Sequence, residues 1–148
     1  MPQSLVRNGI HLVFSTKNRD PFIVRDVAAQ LHAYLAGTLN ALDCPAFAVG
    51  GYTDHVHLLF SLNKTLAVCK VVEEVKKGSS KWAKEHVHPN FFWQNGYGAF
   101  SVSPSNEAQV IEYIGHQEEH HKTTTFQDEY RALLKRHGIE WDERYVWD

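Results

Sequence analysis

Cysteine is nearly absent from this chain: Cys44 and Cys69 are the only two, and neither belongs to a Cys-x-x-Cys pair. A disulfide-stapled scaffold and a cysteine-rich zinc site are therefore not expected. Long apolar runs are missing as well, since no stretch approaches the ~18 or more consecutive apolar residues of a membrane span. The opening Met-Pro-Gln-Ser-Leu-Val-Arg has no basic region followed by an apolar run, so a signal peptide is not expected and the cytoplasm is the default compartment. No Gly-x-x-x-x-Gly-Lys-Ser/Thr loop occurs, and Gly96-x-Gly98 is too short to cradle phosphates, so no nucleotide cofactor is expected. Repeats, low-complexity segments and linkers are lacking too. Residues 1–148 read as one domain, long enough to bury a core without disulfides.

A large excess of either charge is also missing, but the net charge of −2 hides an uneven distribution. Residues 1–63 balance four bases against four acids, and residues 64–86 set six lysines against three glutamates. Residues 87–104 carry no charge apart from histidine, and residues 105–148 hold ten acids against five bases. A polyanion meets the local patch rather than the sum. Lys70, Lys76, Lys77, Lys81 and Lys84 are thus candidates for phosphate contacts, with Arg7, Lys17 and Arg19 extending the basic surface, although a lysine-rich helix is as readily a solvated face. Among the aromatics Phe91, Phe92, Trp93 and Tyr97, some are candidates for stacking on bases and others for filling the core.

What the chain does have is clear alternation. Ile10-His-Leu-Val-Phe-Ser-Thr16 reads as a strand closed by the turn Lys17-Asn-Arg-Asp-Pro21. Val27, Leu31, Tyr34/Leu35, Thr38/Leu39 and Leu42 recur at helical spacing. Pro45–Gly51 reads as a second strand, joined by Tyr52-Thr53-Asp54 to a third, and so short a link implies an antiparallel hairpin. A helix follows with Val68, Val72, Val75, Ser79 and Trp82 on one face. Next come an aromatic loop over 88–96, a fourth strand over 97–103, a helix over about 106–121, and another over about 126–137 that ends at Gly138. The order β-α-β-β-α-β-α-α predicts an α+β fold: an antiparallel sheet with helices packed on one face, a ferredoxin-like or RRM-like sandwich.

Within the third strand, Asp54-His-Val-His-Leu-Leu-Phe60, side chains alternate faces. His55 and His57 therefore point one way, while Val56, Leu58, Phe60 and Leu62 form an apolar stripe on the other. The pair is close enough to bind one metal ion, and is equally a half-buried strand with two solvated imidazoles. In the helix over 106–121, Tyr113 and Gln117 lie four apart and share a face. Gln117 offers a neutral amide oxygen to a hard divalent cation. Tyr113 offers a phenol able to attack an electrophile, or simply packs in the core. His116, His120 and His121 are a surface cluster or rival metal ligands.

Taken together, Asp54-His-Val-His-Leu-Leu59, Trp93-Gln-Asn-Gly-Tyr-Gly-Ala-Phe-Ser-Val-Ser103, Tyr113-Ile-x-x-Gln117 and Glu119-His-His121 resemble the single-tyrosine HUH transposases of small insertion sequences. The first strand, His11-Leu-Val-Phe-Ser-Thr-Lys17, and the tail Gly138-Ile-Glu-Trp-Asp-Glu-Arg-Tyr145 share the resemblance, which spans nearly the whole chain. It implies an enzyme that cuts and rejoins single-stranded DNA with hairpins near the element ends. Tyr113 would be the nucleophile, forming a 5′-phosphotyrosine. His55, His57 and Gln117 would hold Mg²⁺ or Mn²⁺. It also implies a homodimer, in which the tyrosine helix can serve the partner's histidines. Two alternatives share the same residues: a non-catalytic nucleic-acid-binding descendant, and a metal-dependent phosphodiesterase that activates water and leaves Tyr113 structural.

Overall fold

The computed structural model describes residues 2–148. Four strands, β1 (Gly9–Ser15), β2 (Ala46–Tyr52), β3 (His55–Ser61) and β4 (Gly98–Val102), form one sheet in the order β2-β3-β1-β4. Every neighbouring pair is antiparallel. The helices are α1 (Arg25–Ala41), α2 (Val68–His86), α3 (Glu107–Gly115), α4 (Gln117–His120) and α5 (Phe126–Arg136). Among the described residues no helix is long and apolar enough to cross a membrane.

The α+β sandwich follows from the alternation. Leu12 and Phe14 of β1 and Val56, Leu58 and Phe60 of β3 face α1 and α2, which bury Leu31, Leu35, Leu39, Val71, Val72 and Val75 against them. These helical residues recur at three- and four-residue spacing, the signature of one apolar stripe.

The opposite sheet face is covered as well, which the sequence pattern did not reveal. There Val13 and Phe100 pack against Phe126, Tyr130, Leu133 and Leu134 of α5. Burial of such side chains contributes on the order of 1.5–3 kcal/mol each, enough to seat a short helix. The Thr125 side chain caps α5 by accepting from the Asp128 amide at 3.1 Å, and such a cap stabilises by roughly 1 kcal/mol. The helix ends at Arg136, with Gly138 at the expected C′ position. That residue's φ of +67° lets the Ile139 and Gly138 amides reach back to the carbonyls of Leu134 and Lys135, a glycine-ended helix terminus.

The helix expected over 106–121 is interrupted. α3 ends at Gly115, His116 has φ −106° and ψ 21°, and α4 begins at Gln117. Tyr113 and Gln117 therefore do not share one continuous helical face. The break instead re-aims Gln117 so that both side chains reach the same point.

Candidate active site

β3 places His55 and His57 on the sheet face that α3, α4 and α5 cover, and both are fully buried. The two imidazoles do not point into solvent. They point at Glu129, a carboxylate on the otherwise apolar stripe of α5 and only 3% exposed. Its Oε1 lies 3.2 Å from His55 Nε2 and 3.1 Å from His57 Nε2 and from His121 Nε2. Its Oε2 accepts hydrogen bonds from the Tyr113 hydroxyl and, at 2.9 Å, from the Gln117 amide nitrogen. One carboxylate thus gathers both histidines, Tyr113 and Gln117.

The tautomers are set by outer partners. His55 Nδ1–H donates to Asp54 Oδ1 at 2.7 Å, and His121 Nδ1–H donates to the Thr124 carbonyl at 2.7 Å. In a neutral imidazole the other nitrogen then carries a bare lone pair. The Gln117 amide orientation is fixed by its donation to Glu129, which turns Gln117 Oε1 to within 3.0 Å of His55 Nε2 and 2.9 Å of His121 Nε2. The Nε2 atoms thus converge on the oxygens of Gln117 and Glu129, and either a proton on an imidazole or a bound cation balances the arrangement. His55, His121 and Glu129 each offer a donor within 4.8 Å of the others, a set that can hold a metal ion. The buried Nε2 of His120 has no hydrogen-bond partner among the described residues and stands 3.5 Å from Glu129 Oε2, a further sign of a site built for more than its own side chains. The donor set fits a divalent cation.

Electrostatics separate the histidines. Burial pushes His55 down, but its hydrogen bonds to the carboxylates of Asp54 and Glu129 outweigh that and raise its pKa to about 9. Burial lowers His57 to about 4 despite Glu129. His11, whose Nε2 is 2.8 Å from His57 Nδ1, is lowered to about 3, again chiefly by burial. Burial would raise Glu129, yet hydrogen bonds from His121, His55 and His57 hold it far below the usual carboxylate range. Burial first, then the charge of Glu129, push the Tyr113 phenol up.

Tyr113 also borders a cavity of about 400 Å³ lined by His11, Ser101, Asn106, Gln109 and Arg136, among others. Local structure explains how the tyrosine comes to stand there. α3 lies directly on β2 because residue 50 is glycine: a Cβ at that position would come within 2.8 Å of the Ile114 side chain and carbonyl oxygen.

The expected DNA-contact residues fare differently. Trp93 is not available to stack on a base, being 7% exposed. It packs against Phe14 and Phe91 and donates its ring N–H to Ser79 Oγ at 2.9 Å. Phe91 is likewise buried, while Phe92 and Tyr97 are exposed. Lys76 is spent on the carbonyls of Gln94, Asn95 and Gly96, and Lys70 pairs with Glu74 at 3.1 Å. Lys84 donates to Ser80 Oγ and lies 4.2 Å above the Phe92 ring. Lys77 and Lys81 are exposed, but α2 packs on the sheet face opposite the histidines. These lysines therefore do not reach a phosphate held at His55 and His57. Arg7 is paired with Glu107 at 2.5 Å, whereas Arg19 lines a second cavity with His121 and Lys122.

Nothing in the local sequence pattern marks Glu129 or His11 as site residues, and spacing does not separate His121 from His116 and His120. A signal for Glu129 exists in retrospect. It sits three residues after Phe126 and four before Leu133, squarely on the helix face that must be buried.

Residues 5–117 match the sequence profile of the family described as Transposase IS200 like. The ISDra2 transposase TnpA of Deinococcus radiodurans is 27% identical over 114 residues, covering 72% of this chain and 81% of the relative. Two solved structures share the fold. A crystal structure of a candidate transposase from Deinococcus radiodurans R1 superimposes with a TM-score of 0.63 at 24% identity, covering 79% of this chain and 96% of that one. A REP-associated tyrosine transposase bound to a REP hairpin gives 0.61 at 13% identity, covering 82% of this chain and 73% of that one.

Proposed function

Since the chain belongs to the family of IS200-like transposases, we propose that it cleaves and rejoins single-stranded DNA through a covalent 5′-phosphotyrosine at Tyr113, with Mg²⁺ or Mn²⁺ held by His55, His57 and Gln117. The observation that carries this reading is the convergence on Glu129. The Tyr113 hydroxyl and the two imidazoles of the histidine strand meet opposite oxygens of one carboxylate, so nucleophile and metal donors stand a carboxylate's width apart. The hairpin in the structural relative described as bound to a REP hairpin supports hairpin DNA as the substrate class.

A bound divalent ion supplies Lewis-acid polarisation of a nonbridging phosphate oxygen and neutralises developing charge. The chain's own residues do the rest. Tyr113 brings the attacking oxygen. A bond forms from that oxygen to phosphorus, the bond from phosphorus to the 3′ oxygen breaks, and the released strand takes up a proton to leave as a 3′ hydroxyl. The phenol O–H is oriented by its hydrogen bond to Glu129 Oε2, and the proton that it loses on attack is balanced by the one that the 3′ oxygen takes up. Burial and the adjacent carboxylate keep the phenol proton in place beforehand, so the tyrosine is held as a neutral, oriented nucleophile. Rejoining runs the same steps backwards: the diester energy is kept in the phosphotyrosine, and no nucleotide need be consumed. The cavity lined by Asn106, Gln109 and Arg136 gives the strand an approach to Tyr113.

Tyr113 stands 5.6 Å, ring to ring, from His57 of its own chain, so the reading assigns the attack in cis, whether or not two chains pair. Labelled single-stranded hairpin DNA incubated with the protein and Mn²⁺ should yield a covalent protein–DNA band on a denaturing gel. Tyr113→Phe should abolish the band, and mixing that variant with His57→Ala should not restore it. Cleavage without an adduct would mean that water, not Tyr113, is the nucleophile.

A further inference from the structure

We propose that the cavity beside Tyr113 is a subsite for one nucleotide of the substrate strand, the one that stays attached to the tyrosine. Arg136 binds the phosphate on the 3′ side of that nucleotide, and the amides of Asn106 and Gln109 take the edge of its base. This rests on reading Tyr113 as the nucleophile. It adds a residue of α5, which lies beyond residue 117, where the family match ends.

Three observations carry it. First, Arg136 is left unpaired where the other arginines are used. Of the six in the chain, Arg7, Arg25, Arg131 and Arg144 each pair with a carboxylate, and Arg19 lies over the Trp147 ring. Arg136, exposed at the last residue of α5, has neither kind of partner among the described residues, and it lines the cavity with Tyr113. Second, the make-up of the cavity suits an anion that carries a hydrogen-bonding ring. No aspartate or glutamate lines it, so nothing there repels a phosphodiester or neutralises the guanidinium. Buried Phe100 and Leu133 give it an apolar wall, and Ser101, Asn106 and Gln109 are exposed on its rim. An apolar wall under a few convergent polar groups is the usual form of a ligand site, and its volume of about 400 Å³ falls within the ~300–1,000 Å³ of such sites. Each amide offers a donor and an acceptor, the pairing that a base edge presents. Third, the stereochemistry of the transfer selects the nucleotide. In an in-line displacement the attacking phenol and the departing 3′ oxygen stand on opposite sides of phosphorus. The departing nucleotide therefore lies across the phosphate from Tyr113, while the retained one branches off beside that axis, where the cavity opens. The guanidinium is within electrostatic reach of the phenol as well: burial and Glu129 push the Tyr113 pKa up, and Arg136 pulls against them.

The probe is a fluorescently labelled single-stranded hairpin DNA, its binding to the full-length protein followed by anisotropy in chelator at several salt concentrations. Arg136→Gln should weaken binding roughly tenfold, the worth of one charge-assisted hydrogen bond. It should also flatten the dependence of log K on log salt by about 0.7, the share of one phosphate of a single strand. Arg136→Lys, which keeps the charge, should restore the slope. Lys77→Ala, on a helix packed against the opposite sheet face, should leave it unchanged. A single abasic position walked along the strand should weaken wild-type binding most at the nucleotide directly 3′ of the cleaved bond, and that loss should vanish when Asn106→Ala and Gln109→Ala are combined. An unchanged slope in Arg136→Gln, an equal drop in Lys77→Ala, or an abasic loss that persists without the two amides would each overturn the proposal. The covalent band of Tyr113 is a separate readout. Its absence with these binding results intact would sink the tyrosine reading and not the pocket, and its presence with an unchanged slope in Arg136→Gln would sink the subsite alone.

Discussion

Lys76 lies in a run of lysines that sequence assigns to phosphate, yet its ammonium donates to the carbonyls of Gln94 at 2.7 Å, Asn95 at 3.2 Å and Gly96 at 2.7 Å. Burial lowers its pKa to about 8, which is the cost of using a charge to tie down a loop. Lys77, one residue on, is exposed. Lys76→Ala should therefore destabilise the protein by about 1–3 kcal/mol, since three carbonyls lose a charged donor, while Lys77→Ala should stay within about 0.5 kcal/mol. Urea unfolding of the two variants separates them, and equal effects would contradict the loop-tying role. The same principle decides what was legible at this scale. His55 and His57 were readable because strand alternation alone sorts them from Val56 and Leu58. Trp93 was not, because an aromatic in a loop gives no sign of which way its ring turns. Glu129 was hidden for the reverse reason: the eye assigns a glutamate to solvent, and only the docking of Phe126, Tyr130, Leu133 and Leu134 forces it inward.

At the scale of elements, the order and type of strands and long helices were legible, because periods of two and of about 3.6 residues differ plainly over five to nineteen residues. The interruption between α3 and α4 was not. It contains no proline, and Gly115 by itself only weakens a helix. The break serves geometry that is set at a distance: Ile114 is buried against β2 while Gln117 turns toward His55. Gly50 is the contact that makes this possible, since any side chain there meets Ile114 at 2.8 Å. Gly50→Ala should lift α3 from the sheet, costing about 1–3 kcal/mol by overpacking, and should carry Tyr113 away from Glu129. Adduct formation should then fall by more than the loss of folded protein accounts for. Thermal melts compared with single-turnover adduct rates would test this, and an unchanged rate in the folded fraction would mean that α3 is placed by other contacts.

For the molecule as a whole, the buried histidines link folding to pH with opposite signs. His55 has a folded pKa of about 9 against an ordinary 6.5. Its contribution is fully present below 6.5, shrinks as pH rises, and is gone above about 9. His57 and His11 have folded values of about 4 and about 3 against the same 6.5. The folded state resists protonating them, so stability falls as pH drops from 6.5 toward those values, where the unfolded chain binds the extra protons. The metal-free protein should therefore be most stable near pH 6.5. Each proton difference gives a slope of at most about 1.4 kcal/mol per pH unit. His32, also lowered by burial, joins His57 and His11 on the acid side, as does Glu129, whose low folded pKa is a further contribution lost on acidification; on the alkaline side His55 acts alone up to about pH 8, above which the lowered Lys76 opposes it. The acid limb should thus be the steeper. Denaturant unfolding in chelator across pH 4 to 8 measures both limbs, and His55→Gln should flatten the alkaline one while leaving a falling acid limb. A flat profile, or a maximum displaced to pH 8, would mean that His55 does not carry the proton that its Asp54 and Glu129 contacts demand.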